Sequence, residues 1–252
     1  MRKTRVYAVA NQKGGVGKTT TAVNVAACLA EAGERVLLVD LDPQANATSG
    51  LGLRANGAST HDLLDGVPLA VLAKPSGVAN LDVVMAKSDL AAASVELSTR
   101  PGGERYLAEA LAGALDPYSF VFLDCPPSFG PLTVNALAAA SRALVPVQAE
   151  YYALEGLSQL LGTISHVQAR LNPELAVAGI LLTMADRRTR LAAEVESELR
   201  RHFGDLVFTT TVPRSVRLAE APSHGLPAIA YDRHSAGAEA YWKVAMELVE
   251  RS

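Results

Sequence analysis

The stretch from residue 6 to residue 29 leaves this chain little choice of fold. An apolar run at 6–10 is followed by Asn11-Gln12-Lys13-Gly14-Gly15-Val16-Gly17-Lys18-Thr19-Thr20, and then by Ala22, Val25, Ala26 and Leu29 at helical spacing. Three closely spaced glycines allow backbone conformations that a Cβ forbids, so successive N–H groups can converge on an anion. A helix opening near Gly17 adds the positive end of its dipole at the same point. Strand, glycine loop, Gly-Lys-Thr and helix in this order read as a phosphate-binding loop rather than a turn with exposed lysines. Lys18 is placed to reach the β- and γ-phosphates of a nucleotide, and the Thr19 hydroxyl to bind Mg²⁺. Gly33 is the expected C-cap of the helix.

The rest of the chain repeats the alternation. Apolar runs at 36–40, 81–85, 120–124, 143–147, 177–184 and 207–212 are separated by helical patterns near 104–115, 131–141, 154–171, 190–203 and 236–250. Several runs are apolar at nearly every position, as in strands buried on both faces of a parallel sheet. The expected fold class is α/β, a doubly wound, mostly parallel sheet flanked by helices in the manner of a P-loop NTPase, with residues 1–252 as a single domain. Residues 42–80 are the least regular and read as loops with a short helix at 61–64. With 49% hydrophobic but only 5% aromatic residues, the core must be built from Ala, Val and Leu. Two cysteines, Cys28 and Cys125, exclude a disulfide framework and most structural zinc sites. The absence of Cys-x-x-Cys argues against an iron–sulfur scaffold. No apolar run approaches the roughly 18 residues that span a bilayer, and the run at 6–10 is too short for a secretion signal. A cytoplasmic protein is expected. In that setting the glycosylation sequon Asn46-Ala47-Thr48 has no meaning as a modification site.

Phosphoryl transfer needs a metal ion and an oriented water more than covalent chemistry. Two acidic positions sit at the ends of apolar runs. Asp40 closes the run at 36–40, with Asp42 two residues on, and Asp124 closes the run at 120–124. An Asp after a strand is often only a turn residue or a helix cap. With a phosphate loop upstream, the carboxylates read as groups for the metal and the water.

The loop departs from the strict pattern, with Gln12 in place of its first glycine and a second lysine, Lys13, at its entrance. The segment from Lys13 to Thr19 resembles the deviant Walker A motif of the ParA/MinD family of P-loop ATPases. Residues 40–50 look like switch I of chromosomal ParA proteins of the Soj type. Residues 123–128 look like their Walker B and switch II, and residues 212–225 are similar to their C-terminal signature. The resemblance covers nearly the whole chain. It implies ATP and Mg²⁺ as ligands, with Lys13, Gly14, Gly15, Val16, Gly17, Lys18, Thr19 and Thr20 around the phosphates. Pro213 and Arg214 would lie beside the adenine, and Thr19 and Asp124 at the metal. Asp42 would orient the attacking water, acting with Lys18 and with Lys13, which in this family reaches the nucleotide of a facing subunit. Partitioning of a chromosome or plasmid is the implied function. It would proceed through an ATP-dependent homodimer that binds double-stranded DNA without sequence preference, answers to a ParB-type protein and joins the nucleoid when ATP-bound. Ala45 stands where the subgroup carries Gly, and Ala fits there without strain only if its φ is negative. Because the loop begins at residue 11, the long N-terminal DNA-binding extension of many plasmid ParA proteins is not expected.

The formal net charge is −3, yet residues 187–217 hold seven arginines against four acidic residues. No aromatic ladder accompanies them, so single-strand recognition by stacking is not expected. Arginine contacts to phosphate would give salt-sensitive, sequence-independent duplex binding. Charge alone reads the segment as a solvated helical face with Glu194 and Glu198 in i,i+4 pairs; the resemblance assigns DNA contacts to Arg188 and Arg217. A MinD-like membrane-cycling protein is the alternative. Residues 238–252 carry two basic against three acidic residues, unlike a basic amphipathic tail, so no membrane contact is expected. A small-molecule kinase or amidoligase on this scaffold would need a second substrate pocket, for which the sequence offers no residues.

Overall fold

A computed structural model describes residues 3–150, 153–186 and 189–251. Strand β1 (Arg5–Val9) enters the glycine loop and helix α1 (Lys18–Glu31), which returns to β2 (Val36–Asp40). Three short helices, α2 (Asn46–Gly50), α3 (Thr60–Leu64) and α4 (Leu69–Leu72), lead to the edge strand β3 (Lys74–Pro75) and its neighbour β4 (Leu81–Val84). Helices α5 (Leu90–Thr99) and α6 (Tyr106–Leu111) precede β5 (Phe120–Asp124). Then follow α7 (Pro131–Ala139), β6 (Arg142–Gln148), α8 (Ala153–Arg170), β7 (Ala176–Thr183) and α9 (Arg190–Phe203). Short helices α10 (Val216–Glu220) and α11 (Ala228–Tyr231) lead to the long α12 (Ala236–Glu250). The sheet order is β3-β4-β2-β5-β1-β6-β7. Only the β3–β4 pair is antiparallel.

Both faces of the sheet are apolar, as the unbroken runs predict. On β2, Val36 and Leu38 join the layer formed with α1 and α12, while Leu37 and Val39 join the opposite layer with α5, α7 and α8. Tyr7 lies between Phe120 and Phe122 with ring centroids 6.4 and 5.4 Å away, and the Thr21 and Tyr241 hydroxyls meet at 3.0 Å where α12 docks on α1. Strand order reverses around β1, and in such sheets ligands bind beyond the carboxyl ends of the strands at that reversal.

The expected strand at 207–212 is only partly formed. Val207 bridges Ile180, and the Phe208 and Val212 amides reach the Ile180 and Leu182 carbonyls at 2.9 and 2.8 Å. Between them the Thr209 and Thr210 amides turn to the Glu247 carboxylate on α12, at 2.7 and 3.0 Å. That diversion breaks the ladder. Phe208 lies so close to β7 that a Cβ on Gly179, whose φ is +158°, would come within 2.5 Å of its ring. The helix expected at 104–115 contracts to α6, which ends before Gly113 at φ 71°. Helices α2, α4, α5, α10 and α11 and the two-residue β3 were not foreseen.

Candidate functional site

The glycine loop sits at the carboxyl edge of the sheet between the ends of β5, β6 and β7. Gly17 is the N-cap of α1, at φ 85° and ψ 26°, so a left-handed residue aims the first helical turn into the loop. Three side-chain bonds fix the loop in place. Asn11 Nδ2 donates to the Pro146 carbonyl at 2.7 Å, the Lys13 amide donates to Asn11 Oδ1 at 3.0 Å, and Thr183 Oγ1 donates to the Val16 carbonyl at 2.8 Å. Lys18 curls over the loop to donate to the Lys13 carbonyl at 3.0 Å. Burial lowers its pKa, against the opposing fields of Asp124, Cys125 and Asp42. The cation thus lies inside the loop with carboxylates facing it. Lys13 points away, exposed, and pairs with Glu150 beyond β6.

Asp40 and Asp124 end adjacent strands in direct register, and neither side chain is exposed to solvent. Burial first, and then the field of Asp42, push Asp40 up to about 6, against hydrogen bonds from Thr48 and Asp42. Asp124 is pushed well above the usual carboxylate range by burial and by Asp40 beside it, with the Thr19 hydroxyl and Lys18 opposing. Among the described residues, both Asp124 oxygens are buried without a hydrogen-bond partner. Orphaned carboxylate oxygens next to a threonine hydroxyl suit a hard oxygen-seeking cation such as Mg²⁺, so Thr19 and Asp124 fit the metal predicted for them. Asp42 lies on the loop from β2 to α2, only 5% exposed, with Oδ1 accepting the Gln44 amide at 2.9 Å.

Beside the first turn of α1 opens a cavity of about 230 Å³, mostly apolar, lined by Thr20, Met184, Pro213, Arg214, Leu218 and Tyr241 among others. Its size suits a nucleobase. Pro213 and Arg214, expected beside the adenine, line this cavity. Met184 and Leu218 were missed, because the lining comes from four distant segments and no local pattern marks it. The site therefore brings the loop backbone and the Lys18 side chain together with Asp42 and Asp124, with Pro213 and Arg214 in the adjoining cavity, while the Lys13 side chain turns outward to Glu150.

Arg217 stands apart on α10. Its guanidinium pairs with Glu220 and Asp232 at 2.9 and 3.3 Å and lies over the Tyr231 ring. Arg188 falls outside the described residues. Arg190, Arg200 and Arg201 pair with Glu194, Glu196 and Glu198 on α9, so within that helix the reading as a solvated, internally paired face holds.

Residues 4–177 match a family model described as an AAA domain. Over 249 residues the chain is 55% identical to the chromosome-partitioning ATPase Soj of Thermus thermophilus, covering 99% of this chain and 97% of that one. It is 51% identical over 247 residues to the sporulation initiation inhibitor protein Soj of Bacillus subtilis, covering 97% and 98%. A crystal structure of cobyrinic acid a,c-diamide synthase from Mycobacterium smegmatis with bound ADP and magnesium has a TM-score of 0.85 at 39% identity, covering 98% of this chain and 95% of that one.

Proposed function

The chain belongs to the Soj/ParA family of chromosome-partitioning ATPases, and on that premise we propose that residues 1–252 act as one ATP-driven DNA-partitioning switch. The observation that carries the reading is the meeting of four groups at one helix N-terminus: Lys18, Thr19, the orphaned Asp124 carboxylate and the buried Asp42.

ATP enters with its base in the cavity beside Pro213 and Arg214 and its phosphates on the loop. The backbone amides of Gly14 to Thr20 and the Lys18 ammonium hold the phosphates, replacing the Lys13 carbonyl as the Lys18 partner. Bound through Thr19 and Asp124, Mg²⁺ would offset phosphate charge and relieve the repulsion between the two carboxylates. Asp42 accepts a hydrogen from the attacking water and aligns it. Such alignment is what this chemistry most needs from a protein. Lys13 leaves Glu150 for the nucleotide of a second subunit. Its pair with Glu150 is exposed on both sides, and pairs of that kind contribute about 0–1 kcal/mol, so the exchange costs little. The homodimer then presents two copies of the 187–217 arginines to duplex phosphates. Hydrolysis, accelerated by a ParB-type partner, separates the subunits and releases the DNA, so the protein is nucleoid-associated only while ATP-bound. Among the described residues no helix is long and apolar enough to cross a membrane.

Two variants test the assignment. Lys18→Ala should lose binding of a labelled ATP analogue. Asp42→Ala should retain binding and lose hydrolysis. Wild-type affinity in the first, or wild-type turnover in the second, would overturn the corresponding role. ATP turnover without any acceptor acid separates this switch from a synthase on the same scaffold.

A further inference from the structure

We propose that Thr48 is a positioning residue for Asp42, latching the 42–48 segment to the Asp40 carboxylate so that Asp42 faces the phosphate loop. The inference rests on the reading of Asp42 as the water-orienting group.

One carboxylate holds both ends of the segment. Asp40 Oδ1 accepts the Asp42 amide at 3.1 Å, and Oδ2 accepts both the Thr48 amide at 2.9 Å and the Thr48 hydroxyl at 2.7 Å. The Thr48 oxygen in turn accepts the Ala86 amide just beyond β4, at 3.0 Å. Its hydroxyl is therefore used both as donor and as acceptor, and the side chain is 2% exposed. Thr60 Oγ1 donates to the Asp40 carbonyl at 2.7 Å, tying α3 to the same residue.

The other ties of the segment are local bonds, from the Gln44 amide to Asp42 Oδ1 and from the Ala45 amide to the Asp42 carbonyl, and the packing of Ala47. Helix α2 has five residues, too few for a helix to sustain itself. Its N-cap, Ala45, has no side chain able to cap, yet the first-turn amides need acceptors. Asp40 supplies one of them from eight residues away. Ala45 also adopts φ 53° and ψ 37°, a left-handed conformation that costs an L-residue about 1–2 kcal/mol. A strained residue between two anchors keeps its conformation only while both anchors hold. The anchor at Asp42 is its own amide, whereas the far anchor depends on Thr48. Without the hydroxyl, Asp40 keeps one bond to α2 in place of two, the Ala86 amide loses its acceptor, and Ala45 is free to relax. Leu41 and Ala47 remain buried in the core, so the fold survives while the aim of the Asp42 carboxylate degrades.

The test compares Thr48→Val, which keeps the shape and removes the hydroxyl, with Thr48→Ser, which keeps the hydroxyl. Thermal unfolding first establishes that both are folded. In steady-state ATPase assays, Thr48→Val should lose about tenfold to a hundredfold in kcat, the scale of losses from misplaced reacting groups, with KM for ATP changed less than about threefold. Thr48→Ser should stay within about threefold of wild type in both. Hydrogen exchange at the amides of residues 44–49 should be faster in Thr48→Val and unchanged in Thr48→Ser. Near-wild-type kcat in Thr48→Val, a Ser variant as slow as the Val variant, or a matched loss of ATP binding would each overturn the proposal. Asp42→Ala run alongside separates the two readings: full turnover in it would sink the role of Asp42, while the exchange data still decide whether Thr48 holds the segment.

Discussion

Replacing Asp124 by Asn should make the nucleotide-free protein more stable while disabling it. Asp40 and Asp124 lie side by side with no solvent exposure, and two orphaned acceptors face a third carboxylate nearby, Asp42. Asp40 moves from 3.8 to about 6. At about 1.4 kcal/mol per pH unit, its ionisation alone costs the fold on the order of 3 kcal/mol. Asp124 is displaced in the same direction. Both folded-state values lie above the unfolded ones, so between them the folded protein binds more protons than the unfolded chain. The contribution of Asp40 is therefore fully present below about pH 4 and is lost as pH rises through about 6, and that of Asp124 changes in the same direction. An amide at 124 keeps the shape, removes one charge and places a donor among acceptors. Through Asp40, which loses a charged neighbour, it should recover about 1–3 kcal/mol at pH 8 and close to nothing near pH 4, where the wild-type Asp40 is protonated. Urea unfolding of both proteins without nucleotide or Mg²⁺, at pH 8, 6 and 4.5, reads this directly. Equal midpoints at pH 8, or a gain of the same size at every pH, would refute the reasoning. The stabilised variant should at the same time lose Mg²⁺-dependent ATP turnover.

Three further outcomes follow from the same geometry. Lys13→Ala should bind ATP as a monomer and fail to dimerise, because Lys18 keeps the phosphates while the second subunit loses its cation; a normal ATP-dependent dimer in light scattering would remove the role in trans. Arg217→Glu should weaken binding to every duplex alike and flatten the salt dependence, with ATP binding and dimerisation intact; unchanged DNA affinity in fluorescence anisotropy would exclude Arg217 from the interface. Ala45→Gly should raise stability by about 0.5–1 kcal/mol, as a left-handed alanine is relieved by more than the entropy that glycine adds to the unfolded chain; a lower urea midpoint would contradict the φ of 53°.

The parts of the molecule set by neighbours in sequence were legible, and the parts set by distant residues were not. Strands such as Phe120–Asp124 are apolar at four consecutive positions because both faces are covered, and that pattern is visible without a structure. The phosphate loop is eight consecutive residues, so its motif is visible without a structure. Helix α5 went unseen because its alanines blur the contrast between buried and exposed faces, although Leu90, Ala93 and Leu97 do point inward. Helix α2 is composed of Asn, Ala, Thr, Ser and Gly, and its capping acceptor is Asp40, eight residues earlier. The sequence reading allowed Ala45 only a negative φ, and the structure gives it a positive one, since the Thr48–Asp40 contact offsets a strain that propensity alone would forbid. The segment at 207–212 carries the composition of a strand but loses its middle to Glu247, some 38 residues away. The Asn46-Ala47-Thr48 triplet looked like an empty sequon and holds the latch. Glu150, the partner of Lys13, has no local signature at all.

Duplex DNA binding, measured by anisotropy across salt concentrations in the presence of ATP and of ADP, tests the account as a whole. With a net charge of −3, the chain has no general attraction to DNA, and the 187–217 arginines must supply the contacts. Two or three from each subunit would neutralise roughly four to six phosphates in a dimer, giving a slope of log K against log[salt] of about −4 to −5. The account predicts that slope with ATP, the same affinity for unrelated sequences, and no measurable binding with ADP at physiological salt. Equally tight binding by the ADP-bound monomer would contradict it.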